Sequence, residues 1–159
     1  MMHMGFGGGC HWCTEAVFQA LRGVEKVEQG FIQSVPPHDD WSEAVIVHYD
    51  PDRVTLETLI DAHLHSHGAT SRHPLRNKYR SAIYTFTEQD AARAGEILQW
   101  AQAELDAPLL TRVLPFVAFR PSETRYVDYY RSDPGRPFCR RHIEPKLKAL
   151  RQRLGERMA

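Results

Sequence analysis

Cys10 and Cys13 are the residues in this 159-residue chain best suited to chemistry. They come after the run Gly5-Phe6-Gly7-Gly8-Gly9 and enclose His11 and Trp12. A thiolate is the reactive form of cysteine, and an ordinary thiol is only a few per cent ionised near neutrality. The segment after the glycines reads as a helix: Thr14 and Glu15 open it, Val17, Phe18 and Leu21 recur at three-to-four spacing, and Gly23 stops it. Cys10 is therefore expected where a glycine-rich turn enters a helix. The unpaired N–H groups and dipole of a helix N-terminus favour an anion there. Gly7, Gly8 and Gly9 would clear side chains from the approach to the sulfur and allow unusual backbone angles. The C-x-x-C spacing fits a redox pair, half of a zinc site, or an incidental pair of buried thiols. Zinc would need two further ligands from Cys139, His142 or the His63/His65/His67 cluster, and no second metal-type spacing frames these. His63 and His67 share a helix face, where a solvated or core-edge histidine pair is the plainer reading.

The elements that must position this loop are read from periodicity and turn residues. Val24 to Ile32 reads as a strand, Pro36 to Asp40 as a loop, and Ala44 to Val47 as a buried strand ended by Asp50-Pro51. Thr55 caps a helix carrying Leu56, Leu59, Ile60 and Leu64, and a polar loop runs from Ser66 to Lys78. Tyr79 to Phe86 is expected as a strand, and Thr87 caps a helix to about Leu105. Val113 to Phe119 reads as one strand whose Pro115 implies an edge or a bulge. Helical stretches close the chain at Ser122 to Tyr130 and Arg140 to Arg157. Helices and strands interleaved around one sheet predict an α/β two-layer sandwich, a mixed sheet covered by helices, in a single domain over residues 1–159.

Composition narrows the function classes. Lys+Arg and Asp+Glu are 20 each, so there is no electrostatic reason to expect nucleic acid or an anionic membrane as partner. The basic stretch from Arg140 is interrupted by Leu147, Leu150 and Leu154, the pattern of an amphipathic helix with a solvated basic face. No apolar run reaches the roughly 20 residues of a membrane span, and the first residues lack a signal layout. Three cysteines make a poor disulfide framework and suit a reducing compartment, so a cytoplasmic location is expected. The glycine run lacks the context of a phosphate loop, and no organic cofactor is expected.

The stretch Phe6-Gly7-Gly8-Gly9-Cys10-His11-Trp12-Cys13-Thr14-Glu15-Ala16-Val17-Phe18 resembles the active-site signature of the A-type peptide methionine sulfoxide reductases. Further motifs resemble that family in order: Glu43-Ala44-Val45-Ile46-Val47 with Tyr49-Asp50-Pro51, His67, Tyr79-Arg80-Ser81-Ala82-Ile83-Tyr84, Phe119 to Tyr130, and Pro137-Phe138-Cys139 through Leu147. The resemblance implies that Cys10 attacks the sulfoxide sulfur. It implies Glu43 as general acid, held protonated by its apolar strand, and Tyr79 as a phenol bonded to the sulfoxide oxygen. Phe6, His11 and Trp12 would bind the substrate, the rings at 11 and 12 walling a pocket for the S-methyl group of the S epimer. Cys10 would become a sulfenic acid resolved by a second thiol, with no bound cofactor and with thioredoxin or another dithiol as reductant. The implied substrates are oxidised proteins or peptides and free methionine sulfoxide, acted on by a monomer.

Several positions depart from the family pattern. His11 replaces a phenylalanine and Cys13 a glycine. Pro74 stands where an acidic residue is usual, no tyrosine lies between Ile32 and Glu43, and Tyr126-Val127 replaces a His-Gln pair. Losing a positioned donor at the oxygen site costs a hundredfold or more. Cys13 is the favoured resolving thiol. Cys139 is the alternative, because some members carry a recycling cysteine there in a mobile tail. A thiol–disulfide oxidoreductase using Cys10 and Cys13, and a non-catalytic sulfoxide- or metal-binding member of the fold, remain open.

Overall fold

The computed structural model describes residues 1–70 and 78–159. Among the described residues one mixed sheet has six strands: β1 (Met2–Gly7), β2 (Val24–Gln33), β3 (Ser42–Tyr49), β4 (Ala82–Thr85), β5 (Arg112–Pro115) and β6 (Ala118–Pro121). Their order is β5-β4-β1-β3-β2-β6, antiparallel throughout except for β4 and β5. Two residues, Phe116 and Val117, separate strands at opposite edges of the sheet. The Phe116 N–H reaches Thr85 O at 2.9 Å and the Val117 N–H reaches Gln33 O at 3.0 Å, so the sheet rolls until its edges nearly meet.

The roll gives the sheet two different faces. Its inside is filled by Ile32, Ala44, Ile46, Ala82, Tyr84 and Leu114. Gly5 lies against this filling, where an added Cβ would come within 2.8 Å of Tyr84 Cβ. The outside carries Met4, Phe6, Val45, Val47 and Ile83, covered by the helices α1 (His11–Gln19), α2 (Leu56–Leu64), α3 (Glu88–Gln102) and α5 (Glu144–Leu154). Alternation along β3 puts Val45, Val47 and Glu43 on this helix-covered face, because side chains two apart point the same way. That parity is what aims Glu43 at α1.

Local chemistry accounts for the helix starts. Thr55 accepts from the Thr58 N–H at 3.1 Å, and Thr87 from the Asp90 N–H at 3.1 Å. Leu147, Leu150 and Leu154 of α5 are buried, the amphipathic pattern expected of the tail. A short helix α4 (Tyr129–Ser132) and a π-helical turn (Cys139–Ile143) precede α5.

Two strand expectations are corrected. The stretch from Val113 to Phe119 is two strands, because Pro115 ends β5 and the chain crosses to the far edge. The strand expected from Tyr79 begins only at Ala82. Lys78 O is taken by the Glu43 N–H at 2.9 Å and Ser42 Oγ at 3.0 Å, and the Arg80 N–H by Ser42 Oγ at 2.8 Å, so this backbone bonds across to β3 instead of extending β4.

Candidate active site

Helix α1 begins at His11, three residues earlier than its apolar periodicity suggests. Cys10 is its N-cap residue, and the Cys10 carbonyl accepts from the Cys13 N–H at 3.0 Å and the Thr14 N–H at 3.2 Å. No hydroxyl or carboxylate stands at the N-cap position itself. Its first free N–H groups go elsewhere: His11 donates to Glu43 Oε1 at 3.1 Å, and Trp12 donates to the Cys10 sulfur. One helix end thus serves a carboxylate and a thiol together.

The three glycines before Cys10 act differently from expectation. None has a positive φ. A Cβ on Gly8 would lie 2.5 Å from the His67 ring, and one on Gly7 would lie 3.0 Å from the carbonyls of Arg80 and Glu43. Gly9 faces open space. The first two therefore let packed groups close on the loop, and the third leaves the approach to Cys10 clear. His63 and His67 support this loop. His63 Nε2 bonds Gly7 O at 2.7 Å, and His67 Nε2 bonds Ser81 Oγ at 2.8 Å. Among the described residues no three side chains are grouped as metal ligands.

All three cysteines are free thiols. Cys10 is half-buried and its side chain is hydrogen-bonded to that of Cys13 one turn along α1. The hydrogen bond to Cys13 pushes the Cys10 thiol up, and burial adds to the rise against the Trp12 N–H. The same bond holds the Cys13 thiol below its ordinary value, with the Lys146 charge adding to the fall against burial. The position of Cys10 at the helix end suggests that it should be the thiolate. The contact with Cys13 works the other way, raising the Cys10 thiol and lowering that of Cys13. Cys139 is fully buried, raised by that burial, and close enough to Cys13 to feel its charge.

Glu43 is flanked on both oxygens. Oε1 accepts from the His11 N–H and lies 3.5 Å from His11 Nε2, while Oε2 lies 3.6 Å from Lys78 Nζ. Its surroundings are more polar than an apolar strand suggests. Lys78 also stands 5.1 Å above the Tyr79 ring, and a hydrogen bond to Tyr79 is the main cause of its raised pKa. His11 Nδ1 lies 2.8 Å from Gly30 O, and burial holds the imidazole pKa below its ordinary value. A cationic His11 that would steady a thiolate is therefore disfavoured.

The expected substrate contacts are partly corrected. Phe6 is fully buried and stacked on Phe18 at 4.6 Å, because strand parity turns it to the helix-covered core. It does not line the cleft beside Cys10. His11 is buried against Phe31. Trp12 is stacked on Tyr129 at 4.1 Å and on Tyr126 at 5.5 Å, with Phe138 edge-on, so its face is covered by this chain's own rings. The cleft has a volume of about 350 Å³ and is lined by Gly9, Cys10, Cys13, Tyr79, Phe138 and Lys146. A larger groove of about 410 Å³, walled by Thr55, Trp100 and Arg153, holds no cysteine.

The sequence reading assigned no role to Lys78, Lys146 or Ser81, although Ser81 and Lys146 lie within motifs it quoted. It also missed what Glu15 does. This fully buried carboxylate accepts from Gln29 Nε2 at 3.0 Å and from the backbone N–H groups of Asp128 at 3.0 Å and Tyr129 at 3.2 Å. It thereby fixes the turn that lays Tyr129 on Trp12. The substitution at Pro74 lies outside the described residues.

Comparison with known proteins agrees with this geometry. A family model for peptide methionine sulfoxide reductase matches residues 2–158. The chain is 34% identical to the peptide methionine sulfoxide reductase MsrA of Deinococcus radiodurans, covering 96% of this chain and 82% of that protein. It is 33% identical to the MsrA of Acinetobacter baumannii over 91% of each. Among solved structures, methionine sulfoxide reductase A of Corynebacterium diphtheriae superposes with a TM-score of 0.71 at 26% identity, covering 83% of this chain and 74% of that one. Reduced Mxr1 of Saccharomyces cerevisiae shares the fold with a TM-score of 0.74 at 20% identity, over 89% and 90% of the two chains.

Proposed function

Because this chain belongs to the peptide methionine sulfoxide reductase family and reduces methionine-S-sulfoxide to methionine, we propose that Cys10 is the nucleophile, Cys13 its base and resolving thiol, and Glu43 the acid. One observation carries this reading: the sulfur of Cys10 and the carboxyl of Glu43 receive successive N–H groups from the first turn of α1, with Cys13 hydrogen-bonded to Cys10. Cys10 attacks the sulfoxide sulfur and gives its proton to the Cys13 thiolate. The sulfoxide oxygen takes a proton from Glu43 and passes to Cys10 as the hydroxyl of a sulfenic acid, releasing the sulfide. Tyr79 donates to that oxygen from the cleft wall. Cys13, now a thiol, condenses with the sulfenic acid to give the Cys10–Cys13 disulfide and water. Reduced pair, sulfoxide and one solvent proton therefore become disulfide, sulfide and water. A helix-end disulfide beside an open Gly9 suits reduction by a dithiol protein, and thioredoxin is the reductant we propose, in the cytoplasm. Yeast Mxr1 has been solved in complex with Trx2. Full burial of Cys139 disfavours it as the first resolver.

The test is a single-turnover reaction of reduced protein with peptides carrying S- or R-methionine sulfoxide, sulfide and thiols being counted by mass spectrometry. Stoichiometric loss of the S epimer with a Cys10–Cys13 disulfide is the expected result. Glu43→Gln should keep the fold and lose at least about 100-fold in rate. Consumption of neither epimer by folded, reduced protein would refute the reading. Disulfide exchange without sulfoxide turnover would point instead to an oxidoreductase acting on protein disulfides.

A further inference from the structure

Lys78 joins two groups that the proposed reaction assigns to one oxygen atom. Its ammonium nitrogen is 3.6 Å from Glu43 Oε2 and 5.1 Å from the centre of the Tyr79 ring, and it is hydrogen-bonded to Tyr79. Tyr79 lines the cleft beside Cys10. A cation within reach of both groups stands where they converge. The position is fixed from behind: Lys78 O accepts from the Glu43 N–H at 2.9 Å and from Ser42 Oγ at 3.0 Å. The ammonium is thus carried on a backbone pinned to the strand that bears the acid. The side chain is 59% exposed, which leaves it able to meet a ligand.

We propose that Lys78 is a catalytic residue for this reaction, its ammonium donating a hydrogen bond to the sulfoxide oxygen as Cys10 attacks. The proposal rests on the assignment of Glu43 and Tyr79 to the oxygen site. A sulfoxide oxygen already carries partial negative charge, and attack at sulfur drives the S–O electron pair further onto it. A preorganised cation there is worth more in the transition state than in the ground state. Lys78 keeps its proton: Glu43 supplies the one that the oxygen gains, and Cys10 is oxidised as the substrate sulfur is reduced. The groups facing the ammonium among the described residues are Glu43 from β3, Tyr79 from its own segment and, more distantly, His11 from α1. Glu43 and Tyr79 hold it protonated.

The experiment compares the full reduced chain with Lys78→Ala and Lys78→Arg in single-turnover reaction with an S-sulfoxide peptide. Lys78→Ala is expected to slow sulfide formation about 100-fold at saturating peptide, with half-saturation changed far less than the rate. Alkylation of Cys10 should proceed as in the parent, showing an intact cysteine loop. Lys78→Arg should keep the rate within about tenfold, since it retains charge and donors. Methylammonium in the buffer should raise the rate of Lys78→Ala and leave the parent unchanged, because the truncated side chain opens its site to solvent. A Lys78→Ala rate within about twofold of the parent overturns the proposal, as does a loss that neither arginine nor methylammonium restores. A parent chain that forms no sulfide overturns the reductase reading and this proposal together. An active parent with an unaffected Lys78→Ala overturns only the role of Lys78.

Discussion

Replacing Cys13 by alanine should make Cys10 more reactive toward an alkylating agent while stopping the catalytic cycle. In the reduced protein the contact with Cys13 is the largest cause of the raised Cys10 pKa, ahead of burial. Cys13→Ala removes the bond and the nearby charge together. The Trp12 N–H, which favours the Cys10 anion, then works against burial and the weaker effect of the Glu43 charge. An ordinary thiol is about 3% ionised at pH 7, and each pKa unit changes that fraction about tenfold. Cys10 in the parent lies well below this level. Return toward the ordinary range therefore raises the rate of Cys10 carboxamidomethylation at pH 7 by about tenfold or more. The assay is timed iodoacetamide labelling of reduced protein, with peptides containing residues 10 and 13 resolved by mass spectrometry. Cys13 labelling must be read separately, since its own thiol is held below the ordinary value. Mixed with sulfoxide peptide, Cys13→Ala should release one equivalent of sulfide and then hold a sulfenic acid that dimedone traps. Equal or slower labelling of Cys10 in the variant would refute the shared-proton account. Rapid disulfide formation with Cys139 would refute the choice of resolver.

Two further substitutions test the frame around the cysteines. Glu15→Ala strands the N–H groups of Asp128 and Tyr129 and the Gln29 amide, which now share a buried carboxylate. With hydrogen bonds to a charged group worth about 1.5–3 kcal/mol each and part of the loss relieved by water, a decrease of about 3–5 kcal/mol in urea unfolding is expected, together with a change in Trp12 fluorescence as Tyr129 lifts off. A loss below about 1 kcal/mol would count against the anchoring role. For His11, burial depresses the folded pKa, so the unfolded state takes up a proton first as pH falls below the ordinary histidine value. Stability should therefore fall with acidification below about pH 6.5, at no more than about 1.4 kcal/mol per pH unit from this group. His11→Phe should remove that component, as measured by paired unfolding curves from about pH 5 to about pH 8; an unchanged slope would exclude His11 as its source.

The fold was legible wherever one physical signal acted alone. Thr55 and Thr87 announced their helices, and the continuous apolar run Ala44 to Val47 in β3 announced a buried strand. The signal failed where the backbone obeyed a distant partner. Tyr79 opens a run that reads as a strand, yet Ser42 and Glu43 claim the backbone of residues 78 and 80. Pro115 marked an edge, but nothing local revealed that the next strand would pair at the opposite edge. At the site, Cys10 and Cys13 stood out by the glycine-rich entry to a helix and the C-x-x-C spacing, whereas Glu43 and Tyr79 came only with the family resemblance. The burial of Phe6 depends on strand parity, and the cover over Trp12 on a turn more than a hundred residues away. Lys78 looked like a loop cation because its meaning lies entirely in what β3 places beside it.

The arrangement around α1 also explains why charge is divided as it is. A helix end can steady one anion well, but two anions that share it repel each other. In the proposed reaction a Cys13 thiolate lies near the Lys146 cation and one turn farther into α1, while Glu43 enters as the neutral acid. Lys78 stands at the other oxygen of Glu43, where it would steady the carboxylate left once the proton is given. The proton that must leave Cys10 and the proton that must reach the sulfoxide oxygen then move on opposite sides of the nucleophile, one toward Cys13 and one from Glu43. Separate routes mean that removing either partner should slow one proton transfer while leaving the other group in place. In the double variant of Glu43→Gln with Cys13→Ala, the losses in oxygen-transfer rate should therefore multiply, in a single-turnover cycle that compares both single variants with the pair. A double variant no slower than Glu43→Gln alone would show instead that one proton is passed between the two sites.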